Sequence, residues 1–245
     1  MSWFIQAQND EYANAIANGD MVSAAQMVET RALEQGYKTA AFHSTNALNF
    51  TVFNTDRLSA HFGSEEAAQD REQILNDFSK YVGRDVKPHR MMRVFLRVES
   101  PLRMPDMASI DSNTGEPLEN ILDQMTEEER EEYEKTGTFQ DEDVYARSWE
   151  GDEDIQLTLL EMGLINIDQF EDMRDYTKKA LIQFLMDEGY DSIIYKNNVE
   201  GNGSDSYIVL DPRQVKLADA ITKDDNGVVI PLNQRFNPAN PDVRY

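Results

Sequence analysis

The chain has 245 residues, 40% of them hydrophobic and 28% charged, which is enough for one large domain or two small ones around a full hydrophobic core. It contains no cysteine, which excludes disulfides, thiolate metal sites and cysteine nucleophiles. Acidic residues outnumber basic ones 46 to 23, for a formal charge of −23; this disfavours nonspecific contact with nucleic-acid phosphates and anionic membranes, and it suits either plain solubility or a basic protein partner.

The N-terminus, Met1-Ser2-Trp3-Phe4-Ile5-Gln6, shows neither a basic start nor a small-residue cleavage site, and no apolar run approaches a membrane span. Residues 10–36 read as two short helices. Asp20 caps the second, Val22, Ala25, Val28 and Ala32 form its apolar stripe, and Gly36 ends it. Residues 1–39 are therefore expected to be a helical lead-in to a domain over 40–245. Ala40-Ala41-Phe42 reads as a short buried strand that delivers His43. Phe50 and Phe53 are the expected anchors of the mixed stretch that follows. Ser64 before Glu65 and Glu66 starts a helix whose buried face is Ile74, Leu75 and Phe78. Met92, Val94, Leu96 and Val98 alternate with Arg93, Phe95 and Arg97, the period of a strand, and Pro101 ends it.

An acidic insert spans about residues 105–153. Within it, Thr126-Glu127-Glu128-Glu129 begins either a solvated helix or a disordered run. Leu157, Leu160 and Leu164 mark the return of structure. Ala180, Leu181, Phe184 and Leu185 form a helical face that Gly189 closes. Residues 192–195 and 207–210 read as strands, with Gly201-Asn202-Gly203 as a turn between them. Asn226-Gly227 is a further turn, and the tail over 235–242 is extended and turn-rich. There is no internal repeat, Walker loop, dinucleotide glycine fingerprint or zinc spacing. The elements together predict an α+β fold.

Two of the three histidines stand close together, in Phe42-His43-Ser44-Thr45 and Ser59-Ala60-His61-Phe62-Gly63. A distant run, Tyr195-Lys196-Asn197-Asn198-Val199-Glu200, leads into Ser206-Tyr207-Ile208-Val209-Leu210. This pattern resembles the ADP-ribosyltransferase fold, and most closely the ADP-ribosyltransferase-like domains of phage and prophage polyvalent proteins. The resemblance runs from about Asp10 to Tyr245. It implies a split β-sheet core with flanking helices and a site that binds NAD as substrate. In the polymerase-type branch of that family, a His-Gly-Ser/Thr motif holds the adenosine ribose and the nicotinamide amide. The matching residues are His43, Ser44 and Thr45, with serine in place of the usual glycine. His61-Phe62 falls where an aromatic residue stacks on nicotinamide; His61 then either stacks or merely edges the cleft. The family's catalytic glutamate precedes a strand reading Tyr-Ile-Val, and Ser206 occupies that position here. Glu200 is the expected replacement, unless it is a solvated loop acid.

The resemblance implies NAD-dependent transfer of ADP-ribose to a protein or nucleic-acid acceptor, in the host cytoplasm or with the virion, with no membrane and no metal. Catalysis would fall to Glu200 and His43, with His43, Ser44, Thr45, His61, Phe62 and Ser206 binding NAD. Two other readings stand beside it: an NAD glycohydrolase with water as acceptor, and an inactive fold that acts as an acidic binding or inhibitor protein. His89 lies in the basic stretch with Arg84, Arg90, Arg93 and Arg97; these arginines would meet the NAD pyrophosphate or an anionic substrate, or else the protein's own acidic insert.

Overall fold

The computed structural model describes residues 3–47, 49–81, 83–107, 152–173 and 177–245. The body of the expected acidic insert, including residues 126–132, lies outside them.

Helix α1 (Trp3–Ala17) begins earlier than expected, and α2 (Met21–Glu34) follows directly. Asp20 caps α2 by accepting from the Ser23 N–H at 3.0 Å. The buried line of α2 is Ala24, Val28 and Ala32, while Val22 is 71% exposed. Four-residue spacing defines one helical line, and Val22 falls on a different face. These helices pack onto the rest of the fold. Tyr12, Val28 and Tyr37 share a core with Phe95, Leu232 and Phe236, and the Tyr12 hydroxyl donates to the Ala220 carbonyl at 2.8 Å.

The first sheet is antiparallel, in the order β1-β3-β7, from β1 (Thr39–Thr45), β3 (Arg90–Leu96) and β7 (Val215–Leu217). Met92, Val94 and Leu96 fill one face of β3, as the alternation predicts. Phe95 is buried on the other face, because the N-terminal helices cover it. The second sheet runs β2-β6-β5-β4, from β2 (His61–Phe62), β4 (Pro101–Arg103), β5 (Ser192–Asn197) and β6 (Ser204–Val209). Pro101 thus opens a strand, paired in parallel with β5, rather than only ending one. An edge strand tolerates proline because its missing N–H can face away from the partner. Helices α4 (Asp152–Glu161), α5 (Ile167–Met173) and α6 (Lys178–Asp187) supply Ile155, Leu159, Phe170 and Leu181 to a core beneath Ile193 and Ile208.

Helix α3 (Glu65–Tyr81) connects the two halves. Ser64 caps it by accepting from the Ala67 N–H at 3.0 Å. Its buried residues are Ala67 and Ala68, whereas Ile74 is 40% exposed. The side chain of Phe78 is outside the described residues. The sheets join at one bridge, where Phe42 and Gly63 exchange two backbone hydrogen bonds of 2.9 and 3.0 Å. The C-terminal tail is a strap rather than a free end. Lys216 donates to the carbonyls of Asn240 and Asp242, and Val243 is buried between Thr51 and Leu217.

The fold class is α+β, with two open sheets and six α-helices among the described residues. None of these helices is long and apolar enough to cross a membrane.

Candidate functional site

A cavity of about 500 Å³ opens where the two sheets meet. His43, Ser44, Thr45, His61, Phe62, Glu200 and Ser206 all line it. Residues from β1, β2, the β5–β6 hairpin and β6 itself therefore face one space.

Strand β1 sets the geometry on one side. Both backbone groups of Phe42 bond Gly63, so they point away from β3. Residues two apart in a strand direct their N–H and C=O to the same side. The N–H and C=O of Ser44 therefore also point away from β3, along an edge where the bridge has already ended and the cavity begins. The Ser44 hydroxyl and His89 Nδ1 share a hydrogen bond of 3.2 Å. Thr45 Oγ1 accepts the Ala47 N–H at 3.1 Å, which leaves its own proton available to donate.

His43 Nδ1 meets the His61 carbonyl at 2.8 Å. A carbonyl only accepts, so Nδ1 carries the proton. Burial lowers the pKa of His43, opposed by that same bond, and the ring is neutral. Its Nε2 is then an acceptor. Phe53 and Phe62 hold the ring, with centroids at 5.0 and 5.2 Å. Phe62 is 1% exposed and belongs to the core, so it forms the wall behind His43.

His61 Nδ1 bonds the Tyr195 hydroxyl at 2.8 Å, with the two rings nearly perpendicular. Burial pushes the pKa of His61 down to about 4, with Arg71 adding to the shift and a bond to the Leu58 backbone opposing it. Tyr195 sits directly across the strand pair from Ser206 and hydrogen-bonds it. Burial, with Asp106 and Glu200 adding, pushes its phenol well above the usual range, so it stays protonated.

The other side is the β5–β6 hairpin. Asn197 Nδ2 donates to both Glu200 Oε2 at 3.1 Å and Ser206 Oγ at 3.3 Å. One amide group thus brings the Glu200 carboxylate beside Ser206. The Asn197 side-chain carbonyl accepts the Glu200 N–H at 2.8 Å. Two carboxylates clamp the turn: Asp106 accepts the Asn198 N–H, and Asp70 the Gly201 N–H, each at 2.8 Å. Arg71 reaches Glu200 at 3.5 Å. Burial raises the pKa of Glu200, while Asn197 and Arg71 oppose the rise. Asp205 points to the opposite face and makes a two-pronged pair with Arg103 at 3.0 and 3.1 Å.

Arg71, His89, Tyr195, Asn197 and Asp106 also line the cavity; Tyr195 and Asn197 belong to the run that carries Glu200 and His89 to the basic stretch, while Arg71 and Asp106 carry no sequence signal for it. Tyr195 and Asn197 alternate along β5, which would have flagged them once Glu200 was chosen. Of the basic stretch, only His89 lines this cavity. Arg97 pairs with Glu99 at 3.0 Å, and Arg93 lies over the Phe95 ring.

The two histidines make the fold acid-labile. Native His61 titrates near 4 against an ordinary 6.5, so the unfolded chain takes up the proton first as pH falls. The contribution of His61 is complete above about pH 6.5 and is lost on the way down to about pH 4. For His61 the ceiling is ~3 kcal/mol, trimmed because the ring borders an open cavity. His43 acts in the same direction. His61→Gln is expected to lose ~2 kcal/mol less than wild type between neutral pH and about pH 4.5, by urea unfolding. Equal losses would contradict this account of His61.

Comparison of the chain with protein families, with curated proteins and with solved structures finds no match.

Proposed function

We propose that this cavity binds NAD, breaks its nicotinamide–ribose bond and transfers ADP-ribose to a macromolecular acceptor, as the resemblance to the ADP-ribosyltransferase-like domains of phage polyvalent proteins implies. The observation that carries the reading is the pairing of two features across one cavity. The outward N–H and C=O of Ser44 offer a donor beside an acceptor, the complement of a primary carboxamide. Opposite them, the Glu200 carboxylate is held beside Ser206, the position from which the family's glutamate acts.

The residues divide the work accordingly. Ser44 holds the carboxamide through its backbone, and the Thr45 hydroxyl donates to the amide oxygen. His43 Nε2 accepts from a ribose hydroxyl. His61, neutral and fixed by Tyr195, offers a flat ring for the nicotinamide to stack on. As the C1′–N bond breaks, nicotinamide leaves with the bonding pair and positive charge develops on the ribose. The Glu200 carboxylate stabilises that charge, and its elevated pKa suits it to take the proton that the acceptor loses on attacking C1′.

Incubation with labelled NAD and cell lysate tests the reaction. The proposal expects labelled macromolecules; free ADP-ribose alone would mean a glycohydrolase, and intact NAD would mean a binding protein. His43→Ala is expected to weaken NAD binding about tenfold by removing one hydrogen bond to the ribose and the ring that supports the wall. Unchanged affinity in a calorimetric titration would remove His43 from the site.

A further inference from the structure

Among the described residues, Arg71 is the only arginine or lysine that lines the cavity between the sheets. Helix α3 places it there. Ala67, Arg71 and Leu75 recur every four residues, so they share the face turned to the cavity. Ala67 is small and buried, which brings the helix close, while the long Arg71 side chain is half-exposed and has room to swing.

Its hold on Glu200 is weak. Arg71 Nη1 meets Glu200 Oε1 at 3.5 Å, and this is the one hydrogen bond or ion pair that Arg71 makes among the described residues. A guanidinium carries five N–H donors, and a single long contact engages one of them. Asn197 holds the same carboxylate independently, donating to Oε2 at 3.1 Å and accepting the Glu200 N–H at 2.8 Å. Arg71 can therefore leave without moving Glu200. Where it stands, its charge works against the breaking of a nicotinamide–ribose bond. A guanidinium at that carboxylate compensates the charge that stabilises the ribose and repels the positive charge that develops there. Burial raises the pKa of Glu200, and Asn197 and Arg71 oppose the rise, so the two charges are coupled even across the long contact.

We propose that Arg71 is the residue by which this site selects a phosphorylated nicotinamide nucleotide: in the empty cavity it rests on Glu200, and the pyrophosphate of the dinucleotide draws it away and leaves the carboxylate uncompensated beside the ribose. This rests on the reading of the cavity as an NAD site. The 5′-phosphate of NAD is carried by the same ribose whose C1′ faces Glu200, so it lies within the swing of a side chain that already reaches that carboxylate. Arginine binds phosphate through two parallel charge-assisted hydrogen bonds, whereas its contact with Glu200 is single and long, so the exchange is favourable. A nicotinamide glycoside without phosphate cannot make the exchange, and its ribose meets a carboxylate that Arg71 still compensates.

NAD and nicotinamide riboside, which has no phosphate, are compared on the whole chain at mildly alkaline pH. Calorimetric titration reads affinity. Single-turnover release of nicotinamide reads the chemistry, with water attacking C1′ and giving its proton to Glu200 as nicotinamide leaves with the bonding pair. Wild type is expected to bind NAD about tenfold or more tighter than the riboside, and to release nicotinamide from it about tenfold or more faster at saturation. Arg71→Met should weaken NAD binding about tenfold or more and speed release from the riboside, bringing the two saturated rates within a factor of about three. Its thermal midpoint should stay near that of wild type, because the lost contact is long and half-exposed. Arg71→Lys keeps the charge and should keep the preference for NAD in both readouts. A wild-type chain that neither binds nor cleaves NAD would overturn the reading of the cavity and this proposal with it. NAD bound and cleaved by Arg71→Met with wild-type affinity and an unchanged preference over the riboside would overturn the role of Arg71 alone.

Discussion

Replacing Glu200 with glutamine is expected to lower the rate of nicotinamide release from NAD by a factor on the order of 100 to 1,000, with NAD affinity close to that of wild type. Glutamine retains an oxygen to accept from Asn197, so the hairpin keeps its shape. Only the negative charge is lost, and that charge matters most when the ribose turns cationic. Stability should barely change, for two reasons. The contact with Arg71 is long, at 3.5 Å, and half-exposed on the arginine side, so it contributes little. Removing the charge also relieves the burial that raises the pKa of Glu200. Chromatographic assay of free nicotinamide under single-turnover conditions separates the two effects. Turnover within a factor of about two of wild type would remove Glu200 from the chemistry.

Gly201→Ala is expected to destabilise the protein by ~2–4 kcal/mol and to disturb the site from a distance. Gly201 has φ of +69°, a left-handed conformation that side chains resist. A Cβ there would lie 2.7 Å from the Ala67 Cβ and 2.9 Å from Ser64 Oγ. Neither neighbour can withdraw, since Ala67 is buried in the first turn of α3 and Ser64 caps that helix. The turn would have to lift away, which would break the bond from Gly201 to Asp70 and carry Glu200 with it. Gly203→Ala is the matched comparison. It has φ of +76°, but its nearest neighbour, Asn198 Oδ1, is 3.8 Å away. It should therefore lose only the conformational part, about 1–2 kcal/mol. Urea unfolding of both variants measures the difference. If Gly201→Ala costs no more than Gly203→Ala, the packing of the turn against α3 is wrong.

The parts of the molecule legible in the sequence were those governed by near neighbours. Asp20 and Gly36 bracket α2 because a capping carboxylate and a left-handed glycine act within one helical turn. Gly201-Asn202-Gly203 announces the hairpin because all three residues adopt positive φ. With the hairpin placed, the return of Glu200 towards Ser206 could be anticipated. What the sequence hid depends on distant partners. Pro101 looks like a terminator because nothing local reveals that β5 waits some ninety residues away to pair with β4. Phe95 sits on the arginine side of an alternating strand, yet α1, α2 and the strap cover it. The tail reads as a loop, but Arg235 and Phe236 are each 1% exposed, because Leu217, Asp219 and Tyr12 supply partners for the arginine. Asp70 and Asp106 carry no local sign that they fasten the ends of one turn. His89 was set apart with the arginines, and only the pairing of β1 with β3 brings it to Ser44.

The most direct test of the central claim is a crystal structure of the Glu200→Gln variant soaked with NAD. The account predicts the nicotinamide carboxamide on the open edge of Ser44, the ring against His61, and the C1′ carbon next to residue 200. Dinucleotide bound elsewhere on the surface, or a cavity that stays empty at saturating NAD, would contradict it.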